Sequence, residues 1–472
     1  MLTNDQWASR YFTPDGQPLL SAAGHVRAMA EGRITAAKLT EDALERAGDK
    51  RGEGARVFTQ VHTEWAMLLA QASHAVRTAG AMRSPAEGVP VSIKDLFDVA
   101  GWPTCAGSAV LRKTAAARQH ASVVQRLLAA GTVLIGRTNM TEFAYSGLGL
   151  NPHYGTPANP WQRAQRHIPG GSSSGAAVAV ADGMCAASIC SDTGGSVRIP
   201  AALCGLTGFK PTARRVPQDG VLPLSRALDS IGVIAHDVRS CILLDAVIAD
   251  APVALHPRDL KQAHFAVPQT VVFDGVQDAV AQAFNAALEV LRQCGAQITP
   301  VDIPEFAQLA EINAGGGFTA AEAWAWHADL LQKREAEYDP RVASRIRRGE
   351  GFLAKDFIQL QQQRSQWQQA VQNRIHPFDA MLMPTVAHIA PRIADLQSSD
   401  EAYFAANAAM LRNPSLINFL DGCAISLPCH KTGQAPVGLS VAGSAMQDEA
   451  VAQWALAIET ALQKSGTTLY RS

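Results

Sequence analysis

The sequence predicts an α/β fold built as one large domain, and three observations carry that expectation. Short apolar runs of strand length alternate with helix-length tracts through much of the chain, the rhythm of βαβ units with helices on the faces of a sheet. The composition, 47% hydrophobic and 18% charged, is that of a globular chain able to bury a sizeable core. Length alone would allow roughly three domains at about 150 residues each. No long Pro-, Gly- or Ser-rich linker divides the 472 residues, however, and there is neither an internal repeat nor a low-complexity segment.

Taken in order, residues 20–47 predict two short helices, with Leu19, Leu20, Val26, Met29, Ile34, Leu39 and Leu44 at helical spacing and Thr35 and Thr40 as caps. A strand is expected from Val57, a helix through the Ala-rich residues 66–81, and a second strand over Val89–Ile93. Ser122–Ala130 reads as a helix stopped by Gly131, followed by a buried strand Val133–Ile135. Further on, the strands His264–Val267 and Gln297–Val301 flank a helix, Val276–Cys294, that Gly295 closes. Residues 305–375 differ in character and predict a helical insert that shapes a substrate pocket. It holds Gly315, Gly316 and Gly317, then Trp324 and Trp326, each read as either core or pocket wall. Its basic residues Arg345, Arg347 and Arg348, flanked by acids, read as a solvated helix face.

Charge excludes several function classes. The 41 basic and 42 acidic side chains leave a net charge of −1, which gives no electrostatic case for nucleic acid or an anionic membrane. The eight cysteines show no CxxC, and with no clustered histidines they read as reduced thiols, not a zinc site or a disulfide framework. The polar start MLTNDQWASRYFTPDG has no signal-peptide order, and no run of about 18 apolar residues occurs, so a cytoplasmic protein acting on a small molecule is expected.

The chemistry concentrates in Gly170–Pro200, where two Gly/Ser loops flank an Ala- and Val-rich segment. Adjacent glycines let backbone N–H groups approach a ligand closely. Gly194 and Gly195 stand directly before Ser196, which sets a hydroxyl beside several N–H donors, the arrangement acyl transfer needs for a nucleophile and its oxyanion hole. Ser172 supplies a second hydroxyl 24 residues earlier (196 − 172), room for a helix and a strand. Upstream, Lys94 ends the apolar run in GVPVSIKD. Buried there without a paired acid it would lose its proton and could act as a base. Asp95, adjacent in sequence, is expected to face away, because successive residues of a strand alternate in direction.

The segments GVPVSIKD, GRTNMTEFAYSG, NPHYGTPANP, PGGSSSGAAVAVADG, SDTGGSVRIPAALCGLTGFKPT and LSRALDSIGVIAHDV resemble successive blocks of the amidase signature family, over about residues 88–240. FDAMLMPT, INFLDGCAISLPC and PVGLSVAG resemble its C-terminal blocks, so the likeness covers most of the chain, with residues 1–87 as a lead-in. The resemblance implies a mixed central sheet covered by helices on both faces, and hydrolysis of an amide by a Ser-Ser-Lys triad. In this sequence that assigns Ser196 as nucleophile, Ser172 as bridge and Lys94 as base, with an oxyanion hole from the N–H groups of Thr193, Gly194, Gly195 and Ser196. It also implies a cis Gly171–Ser172 peptide, and it places Tyr145 and Ser146 beside the acyl pocket. Ser173 is expected to make a supporting hydrogen bond, and Asp192 with Arg198 to hold the nucleophile loop as an ion pair. No metal or organic cofactor is implied, and a monomer or homodimer is expected. The loop reads GGSSSG where the family has GGSSGG, and Ile189-Cys190-Ser191 stands where Leu-Gly-Thr or Leu-Gly-Ser is usual.

Other readings compete. Gly171–Gly175 matches G-x-S-x-G, but that elbow follows a hydrophobic strand and here WQRAQRHIPG precedes it. A conventional Ser-His-Asp site would draw on His120, His153 or His167, which lie near the signature blocks. The same blocks also fit the amidase subunit of a glutamine-dependent tRNA amidotransferase, and a non-catalytic binding protein could retain the fold. Carboxylic amides, aryl amides and carbamates all suit the same core.

Overall fold

The computed structural model describes residues 21–256 and 258–466. Its centre is one eleven-stranded sheet. In chain order the strands are β1 (Phe58–Val61), β2 (Pro90–Lys94), β3 (Val133–Thr138), β4 (Ala187–Asp192), β5 (Thr207–Lys210), β6 (Ser230–Ala235), β7 (His264–Pro268), β8 (Gln297–Val301), β9 (Ala380–Pro384), β10 (Cys423–Pro428) and β11 (Gly438–Gly443). Across the sheet they run β1-β3-β2-β4-β6-β5-β10-β11-β9-β7-β8. The sheet is mixed: β3, β2 and β4 are parallel, as are β9, β7 and β8, while β4–β6, β6–β5, β5–β10, β10–β11 and β11–β9 are antiparallel.

Helices cover both faces, and the strand residues show why. Strand side chains alternate in direction. Leu134, Ile189, Val233 and Leu382 enter one apolar cluster with the helices Ser122–Ala129, Val238–Ala249, Asp278–Gln293 and Asp448–Lys464. Their neighbours take the other face: Val133, Ile135 and Cys190 pack with the helix Ser174–Ala181, and Met381, Met383 and Ala424 with the helices Ala354–Ile375 and Asp400–Phe419. β2, β3 and β4 are buried along their whole length on both faces, their apolar residues interrupted by buried polar ones such as Ser92, Ser188 and Ser191.

Most boundaries fall within a few residues of the expectation, and two details differ. The first two helices are Ala22–Ala30 and Ala36–Gly48, capped by Ser21 and Thr35. Thr40 is no cap; it lies inside the second helix, fully buried. Leu19 and Leu20, like the N-terminal segment read for a signal peptide, lie outside the described residues. Neither Trp324 nor Trp326 is a wall of the cavity described below. Trp324 packs half-buried on the larger core, and Trp326 is 37% exposed beside Phe143 and His327. Among the described residues no helix is long and apolar enough to cross a membrane.

Candidate active site

The parallel neighbours β2 and β4 end side by side, and their carboxyl ends carry Lys94 and Asp192. Ligand sites in α/β sheets form outside the carboxyl ends of such strands. The chain leaving β4 turns through Thr193, Gly194, Gly195 and Ser196 into the helix Arg198–Leu203. Only glycine suits that turn at Gly195, where φ is +126° and a Cβ would lie 2.6 Å from Pro414. Ser172 and Ser173 stand at the head of the helix Ser174–Ala181, and the Gly171–Ser172 peptide is cis.

These elements close on Lys94. Its Nζ lies 2.7 Å from Ser172 Oγ and 2.9 Å from Ser191 Oγ, with the Ser191 carbonyl at 3.5 Å. The side chain is wholly buried, and among the described residues no ion pair joins it to a carboxylate. Asp95 points elsewhere, to Arg137 Nε at 3.0 Å and to the Gly107 N–H at 3.1 Å. Burial therefore pulls the Lys94 pKa down to about 8, against weaker opposing fields from Cys190, Asp192 and Asp229.

Beneath the turn, Asp192 and Arg198 form a fully buried pair, joined at 2.9 and 3.1 Å. Burial alone would raise the Asp192 carboxyl, but the Arg198 guanidinium and its hydrogen bonds hold it well below the usual range. The carboxylate also accepts from the N–H groups of Gly195 at 2.8 Å and Val197 at 3.1 Å. The Gly195 N–H, expected among the donors of an oxyanion hole, is thus committed to Asp192. Thr193 is itself tied by its hydroxyl to Asp229, 2.5 Å away.

Ser196, Thr193 and Gly194 open onto a cavity of about 680 Å³, which Tyr145 and Ser146 also line. Ser146 Oγ donates to Asn407 at 3.0 Å, which fixes that side chain. Among the described residues Ser172 Oγ bonds Lys94 Nζ, and no hydrogen bond joins it to Ser196 Oγ. Ser173 corrects another expectation, because its buried Oγ has no hydrogen-bond partner within ordinary reach; a weak contact with the Cys190 thiol takes the place of a supporting bond.

The histidines read as competitors are placed elsewhere. His120 accepts from the Ala100 N–H and stacks on Trp65. His153 lies 2.8 Å from Glu142, and His167 Nδ1 bonds the Ala390 carbonyl at 2.7 Å. None lines the cavity.

The sequence profile of the Amidase family matches residues 38–452. The chain belongs to the amidase family. Among related proteins, the 2-amino-5-chloromuconic acid deaminase of Comamonas testosteroni is 33% identical over 384 residues, 79% of this chain and 82% of that protein. One component of the glutamyl-tRNA(Gln) amidotransferase of Chloroflexus aggregans is 33% identical over 463 residues, 90% of this chain and 92% of that protein. A crystal structure of an amidase superposes with a TM-score of 0.84 at 30% identity, covering 93% of this chain and 99% of that one. The single α/β domain with its mixed sheet is thus the amidase fold, and the chain is an amide-hydrolysing enzyme.

Three residues around this site were given no role in it by the sequence. Ser191 is the second hydroxyl on Lys94; its signal was the Ser of the SDTGGS block itself. Asn418 donates to both the carbonyl and the carboxylate of Asp192, at 3.0 and 2.9 Å, from a C-terminal block whose resemblance named no role for it. Arg345 overturns the solvated-face reading. Arg347 does pair outward with Glu335 and Glu350, and Arg348 is exposed, but Arg345 turns inward to line the cavity.

Proposed function

We propose that this amidase cleaves a carbon–nitrogen amide bond through an acyl-enzyme on Ser196, with Lys94 as base acting through Ser172. The observation that carries the reading is the buried amine 2.7 Å from Ser172 Oγ, with no carboxylate in ion-pair contact among the described residues and only the weaker fields of Asp192 and Asp229 to favour its charge. A neutral amine has two N–H groups and one lone pair. Ser191 offers an oxygen for each N–H, which leaves the lone pair for the Ser172 hydroxyl proton. Ser172 then relays a proton from Ser196 as Ser196 Oγ attacks the amide carbonyl. The developing oxyanion faces the N–H groups of Thr193, Gly194 and Ser196, and one such donor is worth roughly 3 to 4 kcal/mol in comparable sites. The same relay returns the proton to the leaving nitrogen, and water releases the acyl group. In this reading no metal or organic cofactor takes part, the enzyme is cytoplasmic, and it works as a monomer or homodimer on a small amide.

A fluorophosphonate that labels reactive serines tests this directly. Labelling is expected at Ser196 and is lost in Ser196→Ala together with amide turnover. An unlabelled wild-type protein inert on every amide, ester and carbamate would instead support a binding protein on the same fold.

The 33% identity to an amidotransferase component over 90% of the chain supports a second reading, in which partner proteins consume the ammonia released. Turnover of simple amides by the purified chain alone favours the first reading. Glutamine hydrolysis that appears only inside a larger complex favours the second.

A further inference from the structure

The cavity that exposes Ser196 is lined by two guanidinium groups and, among its lining residues, by no carboxylate. Arg345, in the helix Pro340–Arg347, donates to the Tyr145 carbonyl at 2.6 Å and lies over the Tyr145 ring at 4.3 Å. That contact uses one of five N–H donors. Among the described residues no acid pairs with it: its ionisable companions are Tyr145, Tyr403 and the like-charged Arg348, and burial works against its charge. Arg412, in the helix Asp400–Phe419, reaches the same cavity and is held by the carbonyls of Asp274 and Val272, with the Asp274 carboxylate favouring its charge, so Arg345 is the cation left without an acid. A sequestered cation without a counter-ion is costly, and proteins normally pair it. The planar fork of arginine matches a carboxylate.

We propose that the substrate carries, besides its scissile amide, a carboxylate that Arg345 binds inside the cavity and Arg412 attracts. This rests on the hydrolytic reading above. The remaining wall, with Leu224, Leu228, Phe306, Leu309, Leu411 and Phe419, suits a hydrocarbon spacer between amide and acid. The same lining disfavours a free amino acid, because an α-ammonium would face two guanidiniums with no carboxylate to receive it. The substrate class is therefore the monoamide of a dicarboxylic acid.

Succinamate, glutaramate and adipamate, each compared with its methyl ester, test the proposal on the wild-type enzyme. For the best-fitting spacer, kcat/KM for the acid is expected to exceed that for the ester roughly ten- to hundredfold, the range for a hydrogen-bonded charge. That preference collapses in Arg345→Met and shrinks in Arg412→Gln. Glutamine, which differs from glutaramate by its α-amino group, is expected to be the poorer of the two. Esters cleaved as fast as their acids, or glutamine matching glutaramate, overturn the proposal. If Ser196 neither labels nor turns over any amide, the hydrolytic reading fails instead. Calorimetry with glutarate then decides this one: saturable binding lost in Arg345→Met upholds the anion site, and no binding overturns it.

Discussion

Lys94 can take a proton only when it is neutral, and burial brings that state within reach by lowering its pKa to about 8. Single-turnover acylation is therefore expected to rise as pH passes through about 8 and then level off, well below the ordinary lysine value of about 10.4. Lys94→Ala removes the base and abolishes amide turnover, while activated esters, whose leaving groups need no proton, lose less. Lys94→Arg does not rescue, since a guanidinium stays protonated at any working pH. Near-normal amide turnover in Lys94→Arg would make the lysine structural. The positions of Lys94, Ser172 and Ser196 were legible because each sits in a short string whose glycines and apolar neighbours fix its surroundings. Arg345 was not, because its direction depends on which face of the helix Pro340–Arg347 packs against the helix Gly317–Arg334. The commitment of the Gly195 N–H to Asp192 was also hidden: both residues were singled out, but a backbone donor's target is set by a turn three residues long.

At the scale of elements, the helix Ser174–Ala181 carries Ser172 and Ser173 at its head, so its seat on the sheet sets the distance from Ser172 to Lys94. Gly175 makes that seat possible. A Cβ there would lie 2.3 Å from the Val57 carbonyl and 2.7 to 2.8 Å from Asn139, all backbone atoms that cannot swing aside. Gly175→Ala is thus expected to lower stability by about 1 to 3 kcal/mol, the usual cost of overpacking, and to reduce kcat as the helix shifts. Gly48→Ala, at a site with nothing within 4 Å, is the control for both readouts. Equal denaturant midpoints for the two variants would refute the argument. Individual strands were legible from apolar runs bounded by turn residues. Their order was not, because antiparallel pairs such as Lys210 with Ala424 join segments with no local link. Residues 305–375 read correctly as helical, but nothing local tells that Phe306, Leu309 and Thr319 face the cavity while Trp326 faces outward.

For the molecule as a whole, the buried ionisable groups fix how stability changes between pH 7 and pH 5. Burial lowers His25 and His327 to about 3 and His62 to about 4, and it also depresses His120, His236 and His430. The ordinary histidine value is 6.5. The unfolded chain therefore binds more protons than the folded one as pH drops through 6.5, and stability falls with pH. Asp229 and Asp245 act in the opposite sense, since burial raises each to about 6 and so favours the folded state as acid is added. Burial also raises Asp95, Asp182 and Asp339, but the displacements of His25, His62 and His327 exceed those of Asp229 and Asp245 and set the direction of the slope. Lys94 and Lys210, lowered to about 8, add stability only as pH rises from there toward 10.5, and so contribute no slope in this window. Asp192, held low by Arg198, gives up its contribution only below the ordinary carboxylate range. The thermal midpoint is thus expected to fall steadily from pH 7 to pH 5, with His327→Phe shallower than wild type. A midpoint that stays flat or rises across that interval would mean that these histidines are protonated in the folded enzyme. Activity lost through Lys94 is reversible and lies at higher pH, so refolding at pH 8 after an acid pulse separates the two effects.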